Sequence, residues 1–518
     1  MNDLRKISGP VGYAWLRDHL NAPSFLGPRQ ARVAGVAALE RLADGALLVP
    51  AKMAPEASIL DHILFALKNE SINLHLLAVS LKRVSSTEME DAFMETPNGA
   101  YIRTACCLWE LFTKKQLSPC AATITAAYQA VFDPAEYCVG ESRKNSKWRV
   151  DFNGLGDIEF CPVVRKTNAI KALLEQDLLK QARQFAESTS KETLDRALGW
   201  AYLSETEGSF AIEGEVPTQD KARAFAKLLE LASDPKDLTE DLLCELQRMS
   251  ITNEFDKSWE FRNEQNRLQK GTGSPGVRYV PPRPEIVDLL MTKLMDMANK
   301  RPEGLDPLVH ASIISFGFVF IHPFMDGNGR LSRFLIHHCL GQSRALPNAF
   351  VLPVSVAMKR HEDAYLSALT SFSIPARELC TVTWGGDSNY SFDWAPEADE
   401  AFRYMDLTQC AEFTMNMAQV TLQKDLLGET EWLSDFDAVY DQIKAKFDVR
   451  DADLSNLVAA ALKNNGIVSE NNRKKYVYQV QAETLDAIQS LCTNKIAARG
   501  TSEAETAAEE PEFERPKG

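Results

Sequence analysis

One stretch of the chain places residues of complementary chemistry side by side: His322-Pro-Phe-Met-Asp326-Gly327-Asn328-Gly329-Arg330-Leu-Ser-Arg333. His322 is the group in it that can exchange a proton near pH 7. Asp326 is a hard oxygen donor able to hold Mg²⁺, an ion that takes one or two carboxylates and completes its shell with phosphate oxygens and water. Gly327 and Gly329 let backbone N–H groups turn toward an anion and approach it closely. Arg330 and Arg333 stand one turn apart on one face of the helix that follows, and guanidinium groups bind phosphate oxygens in pairs. The helix start adds unpaired donors and positive potential. Base, metal ligand, anion loop and paired cations together describe a phosphoryl-type transfer site. A lone Gly-Asn-Gly-Arg would read better as a Gly-rich helix start packed in a core. The full spacing does not, because a chance match at about eight fixed positions is on the order of one in a million or rarer.

The flanking sequence predicts the elements that position these residues. The apolar run Ala311 to Ile321, broken by small polar residues, predicts a buried core helix. Helices are expected at about 285–299, 306–321 and 329–340. Ahead of them, Gly271, Gly273, Pro275 and Gly276 predict a turn, and Val277 to Val280 a short strand. Pro281, Pro282 and Pro284 then end a small hairpin. Helical spacing also marks residues 57–83, 171–232, 240–248 and 397–425. Residues 148–158 read as strand or loop with a turn at Asn153-Gly154, and Thr383 to Asp393 as an irregular connector. Between 436 and 480 two short helices are expected, then Asn465-Gly466, then a strand pair around Lys475 to Val480. The tail, rich in Glu, Ala, Pro and Ser, is expected to be disordered.

Bulk properties exclude some function classes. A chain of 518 residues is too long for one core. With 45% hydrophobic and 25% charged residues it reads as an ordinary globular protein. A net charge of −15 argues against a uniformly basic nucleic-acid-binding face. No apolar signal core opens the chain, and no run reaches the roughly 18 apolar residues of a membrane helix. The ten cysteines include no C-x-x-C pair, so reduced thiols and a cytoplasmic location are expected.

The stretch from His322 to Arg333 resembles the Fic family signature, H-x-F-x-[D/E]-G-N-G-R-x-x-R, at every specified position. Members of that family typically transfer AMP from ATP to a Ser, Thr or Tyr hydroxyl of a target protein, and the N-terminal part looks like the helical extension of some long bacterial Fic proteins. The resemblance implies that His322 deprotonates the hydroxyl and that Asp326 binds Mg²⁺ bridging the α- and β-phosphates. It implies that Gly327, Asn328, Gly329 and Arg330 cradle the phosphates, and that Arg333 holds the γ-phosphate. Ser209-Phe-Ala-Ile-Glu213-Gly214 is similar to the family's inhibitory pattern, [S/T]-x-x-x-E-[G/N]. By that likeness Ser209 and Glu213 are regulatory, and Glu213 pairs with Arg333 to deny the γ-phosphate its partner. The segment from Phe261 through Arg278, Tyr279 and Val280 looks like the flap that pairs with an extended target segment in relatives. Tyr365 is placed either near the adenine or in helix packing.

These likenesses imply a mainly α protein with a Fic-fold helical core and a small β-hairpin flap. Residues 1–165 are expected to form a mostly helical domain, 166–235 the inhibitory helix region and 236–375 the catalytic core. Residues 376–495 are expected to form a helical, winged-helix-like domain, and 496–518 a disordered tail. The implied reaction is protein adenylyl transfer with ATP and Mg²⁺, an unidentified protein target and self-modification. Rival readings are AMP removal or another nucleotidyl transfer at the same site, and an ATP-sensing transcriptional or interaction protein. DNA binding is disfavoured, since the expected recognition helix offers little beyond Lys463. His337-His338, neighbours on a helix, face different directions and make a poor metal pair. His62 and His75 read as core histidines.

Overall fold

The computed structural model describes residues 9–22, 30–42, 45–118, 124–232, 234, 236–251, 253–347, 349–386 and 389–506. The chain divides into two compact units. The first combines Met1–Asp177, Ser209–Ala349 and His361–Asn416; the second combines Leu178–Gly208, Phe350–Arg360 and Met417–Gly518. Residues 376–416 thus belong with the His322–Arg333 stretch, and the division is not the linear one read from the sequence. The protein is mainly α-helical, with a few small sheets.

In the first unit, the helical pattern at 57–83 is two helices. Ile59–Asn69 is capped by Ser58, which accepts the Asp61 N–H, and Leu74–Leu81 by Asn73, which accepts the Leu76 N–H. Their apolar faces meet the helix Ala100–Thr113 in a core that includes Ile63, Leu77, Leu108 and Trp148. Two three-stranded sheets accompany these helices. Val150–Phe152 pairs antiparallel with Arg143–Asn145, as the strand character there predicts. Asn153-Gly154 is not the expected turn. The Asn153 side chain is buried and bonds both the N–H and the carbonyl of Phe132.

Three helices build the frame of the chemical stretch. Pro284–Asn299 and Pro307–Ile321 each begin with proline at the first turn, where a missing N–H costs nothing. Asp306 caps the second, accepting N–H groups from Leu308 and Val309. Pro307–Ile321 is apolar on every side and buried nearly throughout. It packs directly against Asn328–Gln342, so the loop joining the two is fixed at both ends. The hairpin expected near residue 277 is present: Leu268–Gln269 pairs antiparallel with Val277–Tyr279.

Thr383 to Asp393 is not irregular. Cys380–Gly386 and Asn389–Trp394 form an antiparallel hairpin, and Cys380 and Val382 pack with Val277 and Val280 of the first hairpin. Alternating apolar and polar residues in Cys380-Thr-Val-Thr carry the period-2 signal of a half-buried strand.

In the second unit, Leu427–Lys444, Asp451–Lys463 and Ala482–Thr506 enclose a core with Leu454, Leu457, Val458 and Ala461 facing in, as expected. The winged-helix reading loses its wing. Lys475 ends the helix Glu470–Lys475, and no strand exists among the described residues from 436 to 498. Asn465 and Gly466 are both left-handed, and the Gly466 N–H returns to the Ala461 carbonyl, so the pair closes a helix end. The last helix runs on through Thr506, into the segment expected to be disordered; 507–518 lie outside the described residues. No helix among the described residues is long and apolar enough to cross a membrane.

Candidate functional site

The helix Pro307–Ile321 stops because His322 takes a left-handed conformation, φ 55° and ψ 59°, while its N–H still bonds Phe318. For a residue with a Cβ this costs about 1–2 kcal/mol, so other contacts must hold it. Arg262 supplies them. Its Nε donates to the His322 carbonyl at 2.8 Å, and its Nη2 to the carbonyls of Pro282 at 2.6 Å and Ile321 at 3.3 Å. Its own N–H donates to the Pro323 carbonyl at 2.8 Å. Burial lowers the Arg262 pKa to about 10, which leaves it charged at neutral pH.

The His322 ring is buried. Its Nδ1 lies 3.0 Å from the Val319 carbonyl, which can only accept, so Nδ1 carries the proton and Nε2 keeps its lone pair. Burial is the main reason its pKa falls to about 4. The Arg262 charge adds to the fall, while the Val319 carbonyl and Glu213 oppose it. At pH 7 the ring is neutral and can accept a proton at Nε2.

The loop after His322 is stapled from several sides. The Asn328 side chain accepts the Phe324 N–H at 3.0 Å and donates to the Phe324 carbonyl at 2.8 Å. Asn266 donates to the Phe324 and Met325 carbonyls, and Gln247 to the Asp326 carbonyl. Gly327 has φ +87°, and a Cβ there would come 2.9 Å from Ile251, so both conformation and space require glycine. The loop therefore arrives at the helix Asn328–Gln342 with its backbone set, and the first-turn N–H groups of that helix have no helical carbonyl to bond. Asp326 is exposed and accepts the Gly327 N–H at 2.7 Å. An accessible carboxylate beside a helix N-terminus fits the oxygen ligands that Mg²⁺ takes.

Both arginines of the stretch are buried and both are engaged. Arg333 Nε donates to the Ser209 hydroxyl at 2.9 Å, and its Nη2 donates to the Ser209 carbonyl at 2.8 Å and to Glu213 Oε1 at 2.9 Å. Burial pulls the Arg333 pKa down, but Glu213 and Tyr365 outweigh it and hold the guanidinium above its usual value. Arg333 Nη1 has no hydrogen-bond partner although it is buried. Gly329 shows where these groups converge: a Cβ there would lie 2.2 Å from Glu213 Oε1 and 3.3 Å from Arg333 Nη1. The Glu213 carboxylate thus sits over the helix N-terminus, where an anion is most stabilised. Arg330 donates to the Ser250 carbonyl at 2.6 Å and to Glu215 Oε1 at 2.7 Å.

The structure brings together His322, Asp326 to Arg330, Arg333, Ser209 and Glu213. Tyr365 belongs to packing rather than to a base-stacking face. It is buried between Phe316, 6.3 Å away, and Phe413, 5.6 Å away, with its hydroxyl toward Arg333. In the hairpin, Arg278 is exposed, whereas Val280 is buried and Tyr279 is buried with its hydroxyl donating to the Phe320 carbonyl at 2.6 Å. The side chains of Tyr279 and Val280 anchor the hairpin and are not presented to a partner. His62 and His75 are core residues as expected; His62 stacks on Trp15 at 3.9 Å and accepts the Gly12 N–H. Sequence reasoning did not single out Arg262, Asn266, Gln247 or Glu215, whose roles depend on partners 58 to 115 positions away.

Residues 237–340 match the Fic/DOC family model. A protein adenylyltransferase Fic from Nematostella vectensis is 41% identical over 63 residues, 12% of this chain and 15% of the relative. One from Drosophila willistoni is 28% identical over 200 residues, 34% of this chain and 40% of the relative. The chain thus spans well under half the length of either of these curated relatives. Among solved structures, a Fic family protein from Desulfovibrio desulfuricans G20 is 19% identical, with a TM-score of 0.37, covering 62% of this chain and 87% of that one.

Proposed function

We propose that this chain is a protein adenylyltransferase that uses Mg-ATP and is restrained by Glu213. The observation that carries this reading is the convergence on Gly329. A helix N-terminus and a buried guanidinium with an unpaired Nη1 meet there, and a carboxylate already sits on them as an anion. A site built to bind a carboxylate at that spot is suited to a phosphate.

In the reaction, the target hydroxyl gives its proton to His322 Nε2 as its oxygen attacks the α-phosphorus. The new O–P bond forms as the bond from the α-phosphorus to the bridging oxygen breaks, and pyrophosphate leaves with that electron pair. Asp326 would hold Mg²⁺, whose charge helps neutralise the phosphates. The loop N–H groups and Arg330 steady the phosphates, and Arg333 holds the γ-phosphate once Glu213 withdraws. Arg262 is a positioning residue, since it acts through the His322 backbone. Self-modification is the simplest first readout, because the protein target is not specified by the site.

Incubation of Glu213→Gly with ATP labelled at the α-phosphate is expected to label protein, and with ATP labelled at the γ-phosphate to release the label as pyrophosphate. Label retained from the γ-phosphate, or none from either, would overturn the reading. Loss of a pre-installed AMP group without new labelling would favour AMP removal instead.

A further inference from the structure

The turn after Ile212 presents two carboxylates, and each meets a different arginine of the loop. Gly214 has φ +73°, its N–H bonds the Ala211 carbonyl, and the Glu215 N–H bonds the Phe210 carbonyl, both at 3.1 Å. These are the two hydrogen bonds of a Schellman closure, with glycine at the left-handed position. One closure therefore sets the direction of Glu213 and of Glu215 together. Glu213 reaches Arg333 at 2.9 Å, and Glu215 reaches Arg330 at 2.7 Å.

Glu215 is half-exposed, which by itself would make a weak ion pair. Its partner is not. The Arg330 side chain is 5% exposed and lies 5.0 Å over the Phe210 ring, and its Nε is buried without a hydrogen-bond partner. A cation this far from water interacts more strongly with the carboxylate in contact with it. Arg330 is also tied to the Ser250 carbonyl, so it is held in place while Glu215 occupies its Nη2.

We infer that Glu215 is a second latch, acting on Arg330 as Glu213 acts on Arg333, so that a polyphosphate must displace two carboxylates from one loop. This rests on the adenylyltransferase reading and extends its regulation. A polyphosphate seated against both arginines would bring its charged oxygens onto both carboxylates, and like charges at contact distance repel. Replacing Glu213 alone then frees Arg333 and leaves Arg330 occupied. Because both carboxylates hang on one turn, a partner that pulls this turn away would release both arginines at once.

The test is calorimetric titration of Mg-ATP into the full chain as wild type, Glu213→Gln, Glu215→Gln and the double variant, with each melting temperature read in parallel. The latch predicts that Glu215→Gln binds ATP at least about 5-fold more tightly than wild type, the lower end of ordinary coupling between sites. It predicts that the double variant binds more tightly than Glu213→Gln, and that neither gain follows the melting temperature. Unchanged or weaker ATP binding in a folded Glu215→Gln overturns it, weaker binding meaning that Glu215 aims Arg330 at the phosphate. If Glu213→Gln gains affinity and Glu215→Gln does not, the latch fails while the enzymatic reading stands. If no variant binds ATP, the enzymatic reading fails and the latch with it.

Discussion

The two ends of the His322–Arg333 loop are held in opposite ways. At the histidine end, the contacts are with backbone carbonyls: Arg262 on His322, Pro282 and Ile321, and His322 itself on Val319. These fix geometry and leave the reactive Nε2 unengaged by that bond. At the arginine end, each guanidinium carries a carboxylate, Glu213 on Arg333 and Glu215 on Arg330. One end is poised and the other is occupied. On the proposed reading, the base is preorganised while the block lies on the anion subsite and not on the chemistry.

That contrast breaks most sharply at His322. His322→Ala is expected to lower transfer by about 10²–10⁴-fold, the usual contribution of a general base, while Mg-ATP binding by calorimetry stays within a few-fold of wild type. Loss of ATP binding in that variant would place His322 in the binding half. Arg262→Ala removes the clamp on a strained backbone without touching the phosphates. A fall of about 10²-fold in kcat with little change in KM for ATP is expected, as for displacing a catalytic group by an ångström. A matched fall in affinity would erase the distinction between the two ends.

The pH response sharpens it further. His322 acts as a base only when neutral, and burial puts its pKa at about 4. Its share of the acid limb is therefore lost as pH falls through about 4, and a rate profile controlled by His322 that falls near 6.5 would contradict this environment. Stability behaves differently. His62, His75, His310, His322 and His338 are all lowered to about 4 by burial. An unfolded chain protonates them near 6.5, so their stabilisation is full above that value and erodes as pH falls from 6.5 toward 4. A lower melting temperature at pH 5.5 than at pH 7.5 is the expected result.

The smallest effect is at the turn. Gly214 has open space around it but a left-handed φ, so Gly214→Ala strains the closure without a clash. About 1 kcal/mol of strain corresponds to roughly five-fold in the latch equilibrium, and transfer is expected to rise by about that factor. A lower rate would mean that the turn supports the active state.

The His322–Arg333 stretch was legible because its chemistry is local: His322, Asp326, both glycines and both arginines lie within one loop and one helical turn. The buried helix Pro307–Ile321 was legible from its apolar run, which only small polar residues interrupt after His310. What supports the loop was not, since Gln247, Arg262 and Asn266 reach it only after the chain has folded back. Glu215 had a readable signal, a glycine two residues after a helix end, but its arginine partner is 115 positions away. The hairpin Cys380–Gly386 with Asn389–Trp394 was masked by glycines at its turn, and alternation in Cys380-Thr-Val-Thr should have prevailed. The absent wing had the opposite cause: Tyr476 to Val480 has strand-forming composition, but Tyr476 and Val480 instead fill a helical core.

The most direct test of the central claim, that the Glu213 carboxylate occupies the phosphate seat, is the initial rate of protein labelling from α-labelled ATP in wild type and in Glu213→Gly. A rise of about 5–150-fold is expected when the carboxylate is removed. Equal rates in two folded proteins would contradict the account.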